Sequence, residues 1–397
     1  MLNLYDVIIV GAGPVGSHVA GKLAGMGYGV VVLEQKEKLG EKVCCTGIIG
    51  QECVTSFAIA ESVTLKPVNS AKLFSPSGRL LRLWREETQA YLVDRAAFDL
   101  AMAARAQDEG AQYVLNSRVG HIEIGADRVR AEAVHGREKA SFEARAVVIA
   151  AGFGSRLAER LGLGTVGDFV IGVQAEVPTT SLDEIEVYLG REIAPGFFAW
   201  LVPISAQRAL VGLMSRRNPA FYLRKLMSSL VAQGKVAPAE VEFSYGGIPL
   251  KPPARTYSER LIVVGDAAGQ VKPTTGGGIY YGLLCADIAA DTLHQALSSN
   301  VLSAKSLADY ERKWRGKLGR ELRIGYWARR LYERLSDGQI DRIFGIIEAN
   351  GIDDALLKAE GLSFDWHGEV VLRLLKDKAV AKAMEMIKIP LRLGGAG

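Results

Sequence analysis

Cysteine and histidine are scarce here. The four cysteines among 397 residues do not make a disulfide framework and show no iron–sulfur spacing, and the five histidines are too scattered for a metal centre. Cys44, Cys45, Cys53 and Cys285 fit a reducing compartment, and His121, His135, His294 and His367 show no ligand spacing, so no metal is expected. A surplus of one charge is missing too: 48 Lys+Arg stand against 44 Asp+Glu, which argues against a large cationic face for nucleic acid. No apolar run reaches the ~18 residues that a membrane-crossing helix requires. A buried-type strand begins almost at once, leaving no room for a secretory signal. The expectation is a cytoplasmic globular protein, with 49% apolar residues to fill the cores of two or three domains.

What is present is concentrated at the start. Tyr5-Asp6-Val7-Ile8-Ile9-Val10 runs into Gly11-Ala12-Gly13-Pro14-Val15-Gly16, and Val30-Val31-Val32-Leu33 closes on Glu34. Strand, glycine turn, helix, strand and acid in that order form a mononucleotide-binding unit that accepts a dinucleotide's pyrophosphate. Gly11 permits the tight turn, Gly13 lets backbone approach the phosphates and Gly16 lets the helix pack on the strand. The helix N-terminus supplies N–H donors, and Glu34 is placed to accept from a ribose hydroxyl.

Further along, strands flank the Ser75–Gly78 turn, Tyr91–Val93 is a short strand, and Asp94 caps a helix from Arg95 to about Gln107 with Phe98, Leu100 and Met102 as its apolar positions. Tyr113–Leu115, Val119–Ile124 and Val129–Ala133 follow as strands, and Ala146–Ala151 ends at Gly152 as a central parallel strand does. Residues 168–250 change character: Phe169–Val177, Ile185–Leu189, Phe197–Val202, Ala209–Leu213 and Val241–Ile248 read as an antiparallel sheet with a helix near Ala220–Val231. Leu261–Val264 then returns to the first domain and delivers Gly265-Asp266. Beyond it Thr274-Thr275-Gly276-Gly277-Gly278 opens a helix to about Leu297, and helices follow from Ala304, with breaks near Asp337-Gly338 and Asn350-Gly351. The expected division is a nucleotide domain from 1–70, 94–165 and 255–300, a sheet domain from 71–93 and 166–254, and a helical region 301–397.

Asp266 after an apolar strand is either a helix cap or an acceptor for a cofactor hydroxyl. With the first unit and Asp94-Arg95-Ala96-Ala97-Phe98-Asp99, in that order, it resembles the FAD-containing flavoproteins built like para-hydroxybenzoate hydroxylase, over about 1–297. Within that group Val43-Cys44-Cys45-Thr46-Gly47-Ile48 is similar to the cysteine-glycine loop of the geranylgeranyl reductase family. Phe198-Ala199-Trp200-Leu201-Val202-Pro203 resembles its Tyr-x-Trp-x-Phe-Pro signature with two positions altered, and Pro273–Gly278 its Pro-x-x-Gly-Gly-Gly turn.

The resemblance implies an α/β fold, α+β overall, with a Rossmann-like FAD-binding domain, an inserted antiparallel-sheet substrate domain and a helical C-terminal region. It implies FAD contacts at Gly11, Gly13, Pro14, Val15, Gly16, Glu34, Arg95, Val119, Gly265, Asp266, Gly276, Gly277 and Gly278. It implies hydrogenation of prenyl-chain double bonds by hydride from reduced flavin N5, with Cys44 or Cys45 as proton donor. A thiol near its unperturbed pKa of ~8.5 stays largely protonated at neutral pH. Buried packing is the other reading of either cysteine. Phe198, Trp200 and Pro203 would line the prenyl site, or serve as plain core. Where most relatives carry Ala-Asp-Gly this chain has Ala150-Ala151-Gly152, which leaves the external electron donor open between NAD(P)H and ferredoxin. The aromatic and arginine residues of 314–332 imply either peripheral membrane contact or a solvated basic face with a packed aromatic side. The Trp-Pro signature also resembles that of flavin halogenases, so a flavin monooxygenase or halogenase is the alternative.

Overall fold

In the computed structural model, which describes residues 4–41, 43–179, 182–352 and 363–376, the first strand Leu4–Val10 lies at the centre of an eight-stranded sheet. It pairs in parallel with Val30–Leu33 on one side and Glu138–Ile149 on the other. Gln112–Val114 and Leu261–Val263 extend the parallel run at its two ends. Where they run side by side, at residues 7–10, 30–33, 146–149 and 261–263, these strands are apolar and buried because both faces are covered. Helices Pro14–Gly25, Arg95–Asp108 and Ile279–Ser298 share one apolar core, closed by Leu307, Tyr310, Trp314 and Leu318 of helix Ala304–Arg334. The antiparallel strand Val129–His135 pairs with the first half of Glu138–Ile149, Ser117–Ile124 pairs with Val129–His135 in turn, and both complete the core of the other face.

Five strands from residues 168–250 and two from residues 70–84 build a seven-stranded sheet in the order Ser244–Pro249, Phe169–Pro178, Arg208–Ser215, Phe198–Pro203, Ile185–Leu189, Ser70–Phe74 and Leu80–Trp84. It is antiparallel except where Ile185–Leu189 meets Ser70–Phe74 in parallel. The period of two sorts the side chains. Val173, Leu201 and Leu213 pack under helix Pro219–Ala232, while Gln174, Trp200 and Met214 alternate onto the opposite face. Residues 71–93 are shared between sheets, since Ala90–Val93 pairs with Ile48–Gly50 and Thr64–Val68 in a third, three-stranded sheet.

Several local expectations are revised. Residues 48–50 of the expected 40–50 loop are a strand, and helix Gln51–Ser56 follows it unannounced. The last strand of the large sheet starts at Ser244, not Val241, because register with Gln174 begins there, and Val241 and Phe243 pack on the helix-covered core instead. Leu100 is half exposed, lying across the helix from buried Phe98 and Met102. The helical region is seen as Ala304–Arg334, Asp337–Ala349 and His367–Lys376; residues 353–362 and 377–397 lie outside the described residues. Among the described residues no helix is long and apolar enough to cross a membrane.

Candidate active site

The glycine turn after Leu4–Val10 has one tight side and one open side. Gly11 has φ +106°, and a Cβ there would stand 2.5 Å from the Ala150 carbonyl oxygen; one on Gly16 would stand 2.1 Å from that of Gly11. A Cβ on Gly13 would meet nothing within 4 Å. Pro14 opens helix Pro14–Gly25, where its missing N–H costs nothing. Val15 lies against Gly265 and Gly282, where a Cβ on Gly282 would come within 2.5 Å of it. Glu34, buried at the end of its strand, accepts from the Ala12 N–H at 2.8 Å and the Lys36 N–H at 2.9 Å. Its carboxylate is thereby held beside the turn.

The second marker converges on the first. Leu261–Val263 pairs with Glu138–Ile149, next to the first strand, so Gly265-Asp266 arrives beside Val15. Asp266 is the second residue of the short helical turn Gly265–Ala268, whose N-cap position is taken by Val264. Burial pushes its carboxyl up to about 6, and the Arg95 cation works against that rise. A Cβ on Gly278 would stand 2.6 Å from Asp266 Oδ1, so glycine is needed where the turn passes the acid. Asp94 accepts from the N–H groups of Ala96 and Ala97, and this cap sets Arg95 at the start of its helix. Arg95 Nη2 donates to Asp99 at 2.6 Å, while its buried Nε has no partner among the described residues. Val119 stands apart from this group, packed against the core on the sheet's other face, two residues beyond Ser117, whose N–H donates to the Glu34 carbonyl.

The glycine turn before helix Ile279–Ser298 meets the large sheet. A Cβ on Gly276 would stand 3.0 Å from Met214 Sδ and 3.3 Å from Ile248. Gly277 accepts from the Lys272 N–H through its carbonyl, and Gly276 donates to the Lys272 carbonyl, so the turn closes on itself. The cysteine loop reaches the same sheet edge: Cys44 Sγ lies 3.5 Å from the Ser244 carbonyl and 3.7 Å from where a Gly246 Cβ would be. Burial pushes this thiol up to about 11. Cys45 turns the other way, its sulfur accepting from the Gly47 N–H and its carbonyl from Gln174 Nε2 at 3.4 Å. Phe153 lies over Gly247, where a Cβ would come within 2.0 Å of the ring.

Trp200 lies flat over Gly212, whose Cβ would collide with the indole at 2.4 Å, and packs with Phe198, Met214 and Ile248 on the face opposite the covering helix. Its buried Nε1 and the buried Oε1 of Gln174 have no partners among the described residues. In register, Ser244, Gln174, Gly212 and Trp200 form one row across four strands. Pro203 is buried at the strand's end, opposite Ala209. Gln174, Met214 and Ile248 escape sequence reasoning because strand register brings them here, and Phe153 because it arrives on the turn after Glu138–Ile149; the Gly246-Gly247 pair inside a strand was a readable sign of close approach.

A family model described as lycopene cyclase protein matches residues 6–347. The digeranylgeranylglycerophospholipid reductase of Methanocaldococcus jannaschii is 32% identical over 360 residues, covering 86% of this chain and 90% of that one. The chain belongs to this family, in its geranylgeranyl reductase branch. The reductase also superposes on a geranylgeranyl bacteriochlorophyll reductase-like protein from Thermoplasma acidophilum, with a TM-score of 0.85 at 24% identity, covering 98% and 100% of the two chains. A halogenase, PltM, solved in complex with FAD, gives a TM-score of 0.68 at 15% identity, covering 97% and 93%, a likeness of fold.

Proposed function

We propose that the chain is an FAD-dependent reductase that saturates carbon–carbon double bonds in the prenyl chains of a lipid. The observation that carries this reading is the meeting of Gly276 with Met214 and Ile248, which sets the cofactor-side turn directly on the apolar, Trp200-bearing face of the large sheet. The reductase relationship supports it over the halogenase alternative, because that likeness extends to sequence across nearly the whole chain.

The residues fit FAD. The open face of Gly13 at the start of helix Pro14–Gly25 suits a pyrophosphate, with Gly11, Pro14, Val15 and Gly16 shaping the turn. Glu34 suits a ribose, and the unpartnered Arg95 Nε, Gly265 and Asp266 suit the groups between ribose and ring. Val119 is proposed for the adenine side only through its link to Glu34 by way of Ser117. Gly276, whose own N–H is spent on the Lys272 carbonyl, shapes the turn, and Gly277 and Gly278 offer backbone N–H groups to the flavin's pyrimidine side. When bound and reduced, FAD supplies the hydride for one carbon of the double bond.

Of the two cysteines, Cys44 is assigned the proton for the other carbon, because its sulfur faces the sheet edge while that of Cys45 is turned into its own loop. Its raised pKa keeps the proton in place across neutral pH. Phe198, Trp200 and the buried Pro203 are assigned to the walls of the prenyl site, where apolar burial at ~25 cal/mol per Å² holds a long hydrocarbon. Contact with a membrane surface belongs to this reading, since such lipids reside in bilayers. Anaerobic incubation of chemically reduced holoenzyme with prenyl lipids tests it: mass spectrometry should show added hydrogen pairs, and no mass gain on any prenyl compound defeats it.

A further inference from the structure

We propose that Arg329 is the anchor for a phosphate on the substrate, a subsite placed at the end of the aromatic face that Phe197, Phe198 and Trp200 form. The inference rests on the reading of that face as the prenyl site.

Arg329 belongs to helix Ala304–Arg334 and is only 4% exposed. Its Nε and Nη2 have no partner among the described residues, and Nη1 makes a single long contact, 3.3 Å, to Glu333 Oε2. A buried guanidinium with two unused nitrogens is costly and rare, because ionised groups leave water only when paired.

The neighbouring carboxylates cannot supply the missing bonds. Arg216 takes both oxygens of Asp168, at 2.5 and 3.1 Å, and also Glu333 Oε1 at 2.6 Å. Tyr326 donates to Asp168 as well, and Arg330 reaches Glu333 from the exposed side at 3.4 Å. Three guanidinium groups therefore share two carboxylates, and the cluster retains one positive charge. Burial lowers the pKa of Arg329 to about 10, which still leaves it charged at neutral pH.

Its location gives the ligand's chemistry. Arg329 Cζ stands 4.3 Å over the Phe197 ring, and Phe197 packs against Phe198, in the apolar group that also holds Trp200, Met214 and Tyr326. A guanidinium resting on a ring is satisfied through its face, while its N–H groups project in its own plane and match the oxygens of a phosphate. One turn earlier, a Cβ on Gly325 would stand 3.3 Å from Pro273 and 3.5 Å from Thr274, so the same helix also touches the cofactor-side turn. Apolar aromatics ending on a buried, under-paired cation suit an amphiphile with a hydrocarbon body and an anionic phosphate head.

The test compares ligands that share a chain and differ at the head. Dissociation constants of oxidised holoenzyme for geranylgeranyl monophosphate and for geranylgeraniol, read by quenching of protein and flavin fluorescence, need no turnover. A failure of the reductase reading therefore stays separate from a failure here. Arg329→Gln should weaken binding of the monophosphate at least tenfold and shift the alcohol less than twofold, with Arg329→Lys between wild type and Gln. Arg330→Gln, on the exposed side, should shift neither ligand more than twofold. Inorganic phosphate should compete with the monophosphate in wild type only at concentrations far above those of the amphiphile. Equal weakening of both ligands, no weakening of either, or competition by free phosphate as strong as that by the monophosphate would overturn a lipid-phosphate subsite. Flavin content and melting temperature identify a misfolded variant, in which case Arg329→Lys alone decides by the ratio of the two constants.

Discussion

Lys272 Nζ lies 2.5 Å from Asp365 Oδ1, and both side chains are almost wholly buried. Asp365 is admitted by Gly50, where a Cβ would stand 1.9 Å from Oδ2, and its neighbour Trp366 donates to Glu52 at 2.9 Å. Tyr281, near the start of helix Ile279–Ser298, donates to the Asp365 carbonyl. Residues 363–367 thus clasp the base of the turn that Lys272 closes through Gly276 and Gly277. Lys272→Met strands a buried carboxylate and should cost about 3–5 kcal/mol, while Lys272→Met with Asp365→Leu should recover most of it. Denaturant unfolding measures the stability, and flavin retained after ultrafiltration measures the turn; equal stability of the single and double variants would contradict the pairing.

Gly13 and Gly16 should respond differently to the same methyl group. Gly16→Ala places carbon 2.1 Å from the Gly11 carbonyl oxygen, so helix and strand must part, and soluble folded protein should be largely lost. Gly13→Ala meets no protein atom within 4 Å and should melt within a few degrees of wild type. It should nonetheless bind FAD at least ~10-fold more weakly, about 1.4 kcal/mol, because the methyl occupies the phosphate approach. Titration of apoprotein with FAD decides, and unchanged affinity in Gly13→Ala would remove the pyrophosphate from this turn.

Asp266 should lower the stability of the FAD-free chain. Its carboxyl titrates near 6 when folded and near 3.8 when unfolded. Between these values the folded chain holds a proton that the unfolded chain has released, so stability falls as pH rises through that window. Asp266→Asn should therefore raise the melting temperature of apoprotein at pH 7, worth up to about 3 kcal/mol, with the difference shrinking towards pH 4. The same variant should bind FAD more weakly. A variant that melts lower than wild type at pH 7 would show that the carboxylate is paired.

Cys44 should matter for turnover and for alkaline stability. Cys44→Ala should slow double-bond reduction by about 10²-fold while leaving chemical reduction of bound flavin unaffected, and Cys45→Ala should do much less. Its thiol titrates near 11 when folded against 9.0 when unfolded, so stability falls as pH rises between those values, and Cys44→Ala should soften that decline. Single-turnover kinetics and melting curves from pH 8 to 11 read the two effects. Equal rates for the two cysteine variants would displace Cys44 from the role.

The parts of the site legible in the sequence are those whose constraints are local. Strand, turn and helix are adjacent in the chain at Val10–Gly16, and the glycines there answer to contacts within a few residues, such as Gly16 with the Gly11 carbonyl. The cap at Asp94 and the Ser75–Gly78 hairpin turn are local in the same way. Trp314, by contrast, read either as a membrane-facing aromatic or as packing. Only the fold shows it fully buried, donating to Thr256 from a distant segment.

By itself the sequence determined the strand–turn–helix unit and most element positions, because hydrophobic periodicity and turn chemistry act over a few residues, while the family came from the likeness of whole motifs and of the chain to its relatives. Tertiary structure decided which cysteine faces the sheet edge, that Trp200 rests on Gly212, and that Arg329 is buried beside carboxylates already engaged by Arg216. Those outcomes depend on strand register and on contacts between segments more than a hundred residues apart, where burial and charge are set by neighbours that no local pattern names.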